Sequence, residues 1–340
     1  MFDQIDLNWK PADLLEVSSG AWAACAIQAG VELDIFTVLD QAPGATLTIT
    51  ELAAKIKGDA RATGMLATAL TALNLLERKG DQVTATAPAR RYLSAASDDY
   101  YGFFIRHAAD IMHNWVNLAR AVRTGASVAG VSSNDATDEL ERENFLMGMF
   151  NIARQQADIV AGALDLSGRR RLLDLGGGPG TYAIYFCRRY PELSATIFDR
   201  PTTAKFARGT VERYGLAARV DFVGGDFLTS ELPRGYDVVW LSQVLHGENP
   251  AEAAGLIERA AGTLNSGGLL CVQEFIIDDD RRGPVQPALF ALNMLVQTPG
   301  GQAYTESEIS AMMAGAGATT IRRLPADLPP GCGIIVGEKG

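Results

Sequence analysis

The rhythm of apolar positions changes near residue 170. Before it, apolar side chains recur at helical spacing; after it, they come in short runs. Ala12 to about Leu39 is Ala-rich, carries few charges and spaces Leu15, Trp22, Ala26, Ala29, Leu33 and Phe36 as a helix would. It predicts one long helix, apolar on most faces, that needs cover from its own domain or from a second subunit. Thr50 before Glu51-Leu52 and Asp59 before Ala60-Arg61 read as helix starts. Leu66, Leu70, Leu73 and Leu76 then make one apolar face, and Glu77 to Thr86 reads as a hairpin turning at Gly80-Asp81. Helix, helix and hairpin in this order form a winged-helix pattern. Tyr100 to Gly125 predicts an amphipathic helix bearing His107, His113 and Trp115, followed by a polar loop at Ser127 to Thr137. A further helix is expected from about Glu141 to Leu164.

From Arg171 onward the runs RLLDLG, SATIFD, RVDFVGGD, YDVVWLS and GLLCVQEF alternate with helical segments. That alternation indicates βαβ units and a parallel sheet. Two more strands are expected at Thr320–Leu324 and Gly333–Gly337, an antiparallel pair at one sheet edge. The expected class is therefore α/β: a mostly helical, winged-helix-like domain over residues 1–165, then a Rossmann-like domain over 166–340.

Composition narrows the function. The 340 residues carry a net charge of −10 and a pI of about 4.9, and the second helix of the winged pattern has almost no Lys or Arg. Phosphate backbones require clustered cations, so no nucleic-acid partner is expected. Cys25, Cys187, Cys271 and Cys332 are scattered without ligand spacing, so no metal is expected and reduced thiols are. The N-terminus lacks a signal pattern and no uninterrupted apolar run approaches 20 residues, which reads as a cytoplasmic chain with no membrane partner.

The first strand of the second domain ends in Asp174-Leu175-Gly176-Gly177-Gly178-Pro179-Gly180-Thr181. Ligands of doubly wound sheets bind beyond the carboxyl ends of the strands, beside this first loop. A dinucleotide pattern would place a third glycine where Thr181 stands. Asp174 would moreover repel a pyrophosphate and favour a ligand with an ammonium or sulfonium, as in S-adenosylmethionine. Asp199 ends the second strand, where an acid can accept from both ribose hydroxyls. After the third strand, Asp226 can accept from the adenine amino group and Phe227 can cover the ring. Ser242, at the end of the fourth strand, joins Gly176 and Gly178 among the cofactor candidates.

D-x-G-G-G-x-G, F-D-x-P and G-D-F in this order resemble the class I methyltransferases. With the winged-helix region, nearly the whole chain resembles the small-molecule O-methyltransferases, a family that includes caffeate, acetylserotonin and bacterial antibiotic O-methyltransferases. The resemblance implies a seven-stranded C-terminal sheet and an N-terminal dimerisation domain that binds no DNA. It also implies a homodimer in which the partner helps to close each pocket around a small-molecule acceptor.

Methyl transfer to a phenol or alcohol also requires loss of a proton, and an unperturbed phenol has a pKa of about 10. His246 follows the fourth strand at the cofactor end of the sheet, and the resemblance gives its position to the general base. Glu274, on the fifth strand, is positioned to orient the imidazole. Two features depart from the plant members of the family. Gly247-Glu248 replaces Asp-Trp after the histidine, and Ala303 stands where a second acid follows the Pro-Gly-Gly turn. Glu248 is the available substitute for that acid. Met149, Asn293 and Met294 match segments that line the acceptor pocket, and Trp115, His107 and His113 are further lining candidates from the N-terminal domain. Core packing is the plain alternative for each. O-methylation of a small aromatic metabolite leads. Carbon or nitrogen methylation and a non-methylating hydroxylase or decarboxylase remain open, as do an NAD-dependent oxidoreductase and a ligand-sensing DNA-binding regulator.

Overall fold

The computed structural model describes residues 9–129 and 139–340, which form two compact units. One takes the chain through Met112 together with Glu143–Asn151; the other takes His113–Arg142 and Ile152–Gly340. Most of the expected polar loop, residues 130–137, lies outside the described residues.

The expected first helix is two helices, α1 (Pro11–Glu32) and α2 (Ile35–Asp40). Helical spacing runs on across the break, but Asp34 adopts a left-handed φ of 55°, a conformation a short polar side chain tolerates and a helix does not. The turn sends Ile35, Phe36 and Leu39 into the core. Next come β1 (Thr46–Thr48), α3 (Ile49–Lys55), α4 (Ala60–Ala72), β2 (Leu76–Lys79), β3 (Gln82–Ala85) and α5 (Ala87–Leu93). The three strands pair in the order β1-β3-β2, and the wing turns at Gly80-Asp81 as expected. The cap of α3 is Thr48, not Thr50. Its hydroxyl accepts from the Glu51 amide, and the Glu51 carboxylate returns a bond to the Thr48 amide at 2.8 Å. Asp59 caps α4 as expected.

The expected helix over Tyr100 to Gly125 is also divided, into α6 (Gly102–Trp115) and α7 (Leu118–Thr124). The side-chain amide of Asn117 donates to the His113 carbonyl at 3.3 Å, satisfying a terminal carbonyl and ending α6. α8 spans Glu139–Ala163. Of α1, only Gly30 and Val31 are buried, whereas Leu15 and Trp22 are 70% and 77% exposed. By length and composition α1 is a helix able to cross a membrane, although Asp13, Glu16 and Ser18-Ser19 interrupt its apolar run.

The second unit continues through β4 (Arg171–Leu175), α9 (Thr181–Arg189), β5 (Ser194–Asp199), α10 (Ala204–Arg213), β6 (Val220–Gly224), β7 (Tyr236–Ser242) and α11 (Pro250–Thr263). It closes with β8 (Leu264–Ile277), α12 (Val285–Gln297), β9 (Tyr304–Thr305), α13 (Glu306–Gly315), β10 (Ala318–Arg323) and β11 (Cys332–Lys339). Seven strands lie in the order β10-β11-β8-β7-β4-β5-β6, and the short β9 adds to β8. β4 to β8 are mutually parallel. The tail pair is antiparallel and sits at one edge of the sheet as expected, with β10 outermost and β11 pairing β8. Val238 to Leu241 are at most 1% exposed, as expected of a parallel strand covered on both faces. The order reverses at β4, which has β5 on one side and β7 on the other. That switch point opens the ligand crevice of such sheets.

Candidate active site

The glycine loop starts where β4 ends, its first amide donating to the Phe198 carbonyl of β5 at 2.8 Å. Two of its glycines are sterically required. Gly176 has φ +73°, and a Cβ there would lie 2.7 Å from Val244 Cγ2; Gly180 has φ +80°, and a Cβ would lie 2.3 Å from Ile197 Cδ1. The loop thus packs on the segment after β7 and on β5 at once.

Asp199 holds this loop in shape. Its Oδ2 accepts from the Gly178 amide at 2.7 Å, and its Oδ1 accepts from the Arg200 amide at 2.7 Å and the Thr203 hydroxyl at 3.0 Å. Three of a carboxylate's roughly four acceptor positions are therefore filled, leaving room for one incoming hydroxyl rather than for both. Burial raises the pKa of this group, and the three donors oppose that.

Asp174 is 1% exposed and accepts from the Ala183 amide at 3.2 Å. Burial pushes its pKa up to about 7, the nearby Asp199 adds to the rise, and the amide bond opposes it. It is a floor under the loop rather than a rim: a Cβ at Gly177 would sit 2.6 Å from its Cγ. Asp226 is exposed and tied into a turn by bonds to the Leu228 amide and the Ser230 hydroxyl. Phe227 is partly buried against the core. Ser242 donates to Gln273 Oε1 at 2.9 Å. Sequence reasoning missed Gln243, which has a left-handed φ of 56° and a shielded Oε1 without a partner.

Four residues beyond Ser242, the chain presents His246. Its Nδ1 lies 2.8 Å from Glu274 Oε2, with the His246 ring 14% and the Glu274 side chain 1% exposed. Glu274 also accepts weakly from the amides of His246 and Phe275 at 3.4 and 3.3 Å. With Nδ1–H donating to the carboxylate, Nε2 is the nitrogen left to accept a proton. Phe290 of α12 meets the imidazole edge-on, centroids 4.7 Å apart, and packs on Phe275 at 4.6 Å.

The Pro-Gly-Gly turn grips the same histidine through the main chain. The Gln302 amide donates to the His246 carbonyl at 2.9 Å, and Tyr304 donates its hydroxyl to the Glu248 carbonyl at 2.6 Å. Glu248 lies beside Glu252 in the same segment. Burial, and then the neighbouring Glu252 carboxyl, raise its pKa.

Among the acceptor candidates, Trp115 Nε1 donates to Asn293 Oδ1 at 2.8 Å, and Asn114 donates to Gln297 at 3.0 Å. Trp115 and His113 belong by contacts to the second unit, not to the N-terminal one as expected. Met294 is buried on the same helix as Phe290 and Asn293. Met149 and His107 lie in the first unit. Phe290, Asn293 and Met294 stand at i, i+3 and i+4, a spacing that would have singled out Phe290. Among the described residues, no cluster of three or more His, Cys, Asp or Glu is placed to hold a metal ion.

A family model for the O-methyltransferase domain matches residues 115–319, and one for the O-methyltransferase dimerisation domain matches residues 15–95. The chain is 33% identical to the 3-hydroxy-5-methyl-1-naphthoate 3-O-methyltransferase of Streptomyces sahachiroi, over 97% of this chain and 95% of that protein. It is 34% identical to the tetracenomycin polyketide synthesis 8-O-methyl transferase TcmO of Streptomyces glaucescens, over 97% of each. Among solved structures, human N-acetylserotonin methyltransferase in complex with SAM superposes with a TM-score of 0.86 at 28% identity, covering 99% of this chain and 100% of that one.

Proposed function

The chain belongs to the O-methyltransferase family and uses S-adenosylmethionine; on that premise we propose that it methylates a hydroxyl of a small aromatic acceptor, with His246 as general base and Glu274 as its orienting partner. The hydrogen bond of 2.8 Å between them, at the cofactor ends of β7 and β8, carries the reading. The cleft suits the cofactor by its own chemistry. Asp199 has one acceptor position left for a ribose hydroxyl, Asp226 and Phe227 stand at the third strand end for the adenine, and Gly176, Gly178 and Ser242 edge the loop. When bound, the cofactor supplies an electrophilic methyl group on a sulfonium sulfur.

The remaining work is the protein's. His246 Nε2 takes the proton from the acceptor hydroxyl, and the Glu274 carboxylate stabilises the imidazolium that results. Phe290 packs edge-on against the ring and the Gln302 amide bonds the His246 carbonyl, so packing and main chain hold the imidazole where no second acid stands. Trp115, Asn293 and Met294, joined by the Trp115–Asn293 hydrogen bond and by α12, are assigned to the acceptor. Relatives that act on a hydroxynaphthoate and on a polyketide favour a fused aromatic one. The test is a turnover with cofactor labelled in its methyl carbon and a hydroxynaphthoate. The label is expected in an aryl methyl ether; a carbon-bound methyl would replace this reading with C-methylation.

Asp174 makes the cofactor step pH-dependent. With its carboxyl near 7 in the free protein, positive charge settling nearby favours the ionised form and expels a proton. Affinity for S-adenosylmethionine should rise severalfold between pH 5.5 and 7.5, a window in which the ligand's amino group, with a pKa of about 7.7–8.0, stays mostly charged. Calorimetry should show the rise flattened in Asp174→Asn; an unchanged slope would remove Asp174 from the linkage. For the ligand-free protein the sign is opposite. The folded carboxyl binds protons more tightly than the unfolded one, so its contribution to stability is lost as pH rises from about 4 to about 7.

We assign dimerisation to residues 1–165 and catalysis to residues 166–340, although His113–Arg142 and Ile152 onward pack with the second unit. The exposed apolar side chains of α1, with the dimerisation match over residues 15–95, support a homodimer. Leu15→Glu with Trp22→Glu is expected to halve the mass read by light scattering. A wild type that is already monomeric would contradict the assignment.

A further inference from the structure

Between β6 and β7 the chain makes one tight turn over residues 226–230, and an arginine from a distant helix closes it. Within the turn, the Asp226 carbonyl accepts from the Thr229 and Ser230 amides at 3.2 and 2.8 Å. The Asp226 amide donates to the Ser230 hydroxyl at 2.9 Å, and the carboxylate Oδ1 accepts from the Leu228 amide at 2.8 Å. The other carboxylate oxygen is left for an incoming donor. Residues 231–235 beyond the turn are irregular, so its last carbonyls find no partner along the chain, as at the end of a helix. Arg259 of α11 supplies that partner. Its Nε donates to the Phe227 carbonyl at 2.9 Å, and its Nη2 donates to the Ser230 carbonyl.

The two ends of this clamp differ in how firmly they are held. α11 is anchored by Leu256, Ile257, Ala260 and Ala261, all buried in the core of the second unit. Asp226 is exposed, so burial does not fix where its carboxylate stands. The guanidinium, partly buried, carries donors in a rigid planar fork and can hold two carbonyls at once. It therefore passes the position of a fixed helix to the turn that bears Asp226 and Phe227.

We propose that Arg259 is a positioning residue for the purine end of the cofactor: by bonding the Phe227 and Ser230 carbonyls it holds the turn so that the site selects adenine over an oxidised purine. The inference rests on the assignment of Asp226 and Phe227 to the adenine. A carboxylate oxygen accepts from the adenine amino group but meets another acceptor where a purine carries a carbonyl oxygen instead. That discrimination needs the carboxylate held in one place, which is what the arginine provides.

The test compares two ligands by calorimetry on the full-length protein: S-adenosylhomocysteine and S-inosylhomocysteine, in which a carbonyl oxygen replaces the adenine amino group. The wild type is expected to favour the adenosyl compound by about tenfold or more. Arg259→Ala should weaken the adenosyl compound by about tenfold and the inosyl compound by no more than about twofold, so that the preference nearly disappears. Its KM for S-adenosylmethionine should rise while kcat at saturating cofactor stays within about twofold. Arg259→Lys reaches one carbonyl only and should fall between, and it makes the comparison if the alanine variant does not fold. A variant that weakens both ligands alike, or neither, would overturn the proposal, as would a wild type indifferent to the amino group. Asp226→Asn separates the premise from the inference. If it keeps the preference while Arg259→Ala loses it, the adenine assignment of Asp226 fails and the clamp stands, acting through Phe227.

Discussion

Replacing His246 with alanine lowers kcat for an ordinary phenol by about 10³-fold and leaves the Kd for S-adenosylmethionine within twofold. The size follows from the task. General base catalysis contributes about 10²- to 10⁴-fold, and a phenol of pKa near 10 is almost wholly protonated at neutral pH. The selectivity follows from position. His246 bonds through its ring to Glu274 and through its main chain to Gln302, and no bond joins it to the glycine loop or to Asp199. Glu274→Gln keeps the shape of the side chain but removes the charge that balances an imidazolium, and about a 10²-fold loss is expected. Rapid mixing at saturating cofactor separates this chemical step from product release. A His246→Ala enzyme that retains a tenth of wild-type turnover on a phenol would remove the base from the account.

Asp199→Ala is the second large effect, and it falls on binding. The substitution removes the acceptor for the Gly178 amide, the Arg200 amide and the Thr203 hydroxyl at once. Hydrogen bonds to a charged group contribute about 1.5–3 kcal/mol each. Losing the equivalent of even two, through a loosened loop and a missing ribose contact, weakens S-adenosylmethionine by about 10²-fold or more. Asp199→Asn retains one acceptor oxygen and should fall between. Calorimetry on variants with unchanged circular dichroism makes the comparison, with kcat at saturating cofactor expected to change far less. Unaltered affinity in Asp199→Ala would show that the loop keeps its shape without the acid.

Both predictions concern residues visible in the sequence, and the reason is topological. Parallel strands covered on two faces appear as continuous apolar runs, so β4 to β8 could be placed from residues such as Val238 to Leu241, and their carboxyl ends marked Asp174, Asp199, Asp226 and His246. What each group touches was not visible. Asp174 looked like a rim charge, yet it lies beneath the loop, because α9 turns back and offers the Ala183 amide to it. Asp199 looked free for two ribose hydroxyls until the loop amide was seen to occupy it. The break at Asp34 was hidden because apolar spacing continues through it. Phe290 resembled any other core position on an apolar helix, and only packing brings its ring to the imidazole.

The most direct measurement varies the acidity of the acceptor. Two acceptors of similar shape, one a phenol with pKa near 10 and one ionised at the assay pH, are turned over by wild type and by His246→Ala. Proton removal by His246 predicts a loss of about 10³-fold on the first and less than tenfold on the second, which arrives without a proton to remove. Equal losses on both would contradict that role and leave His246 with only a part in holding the acceptor.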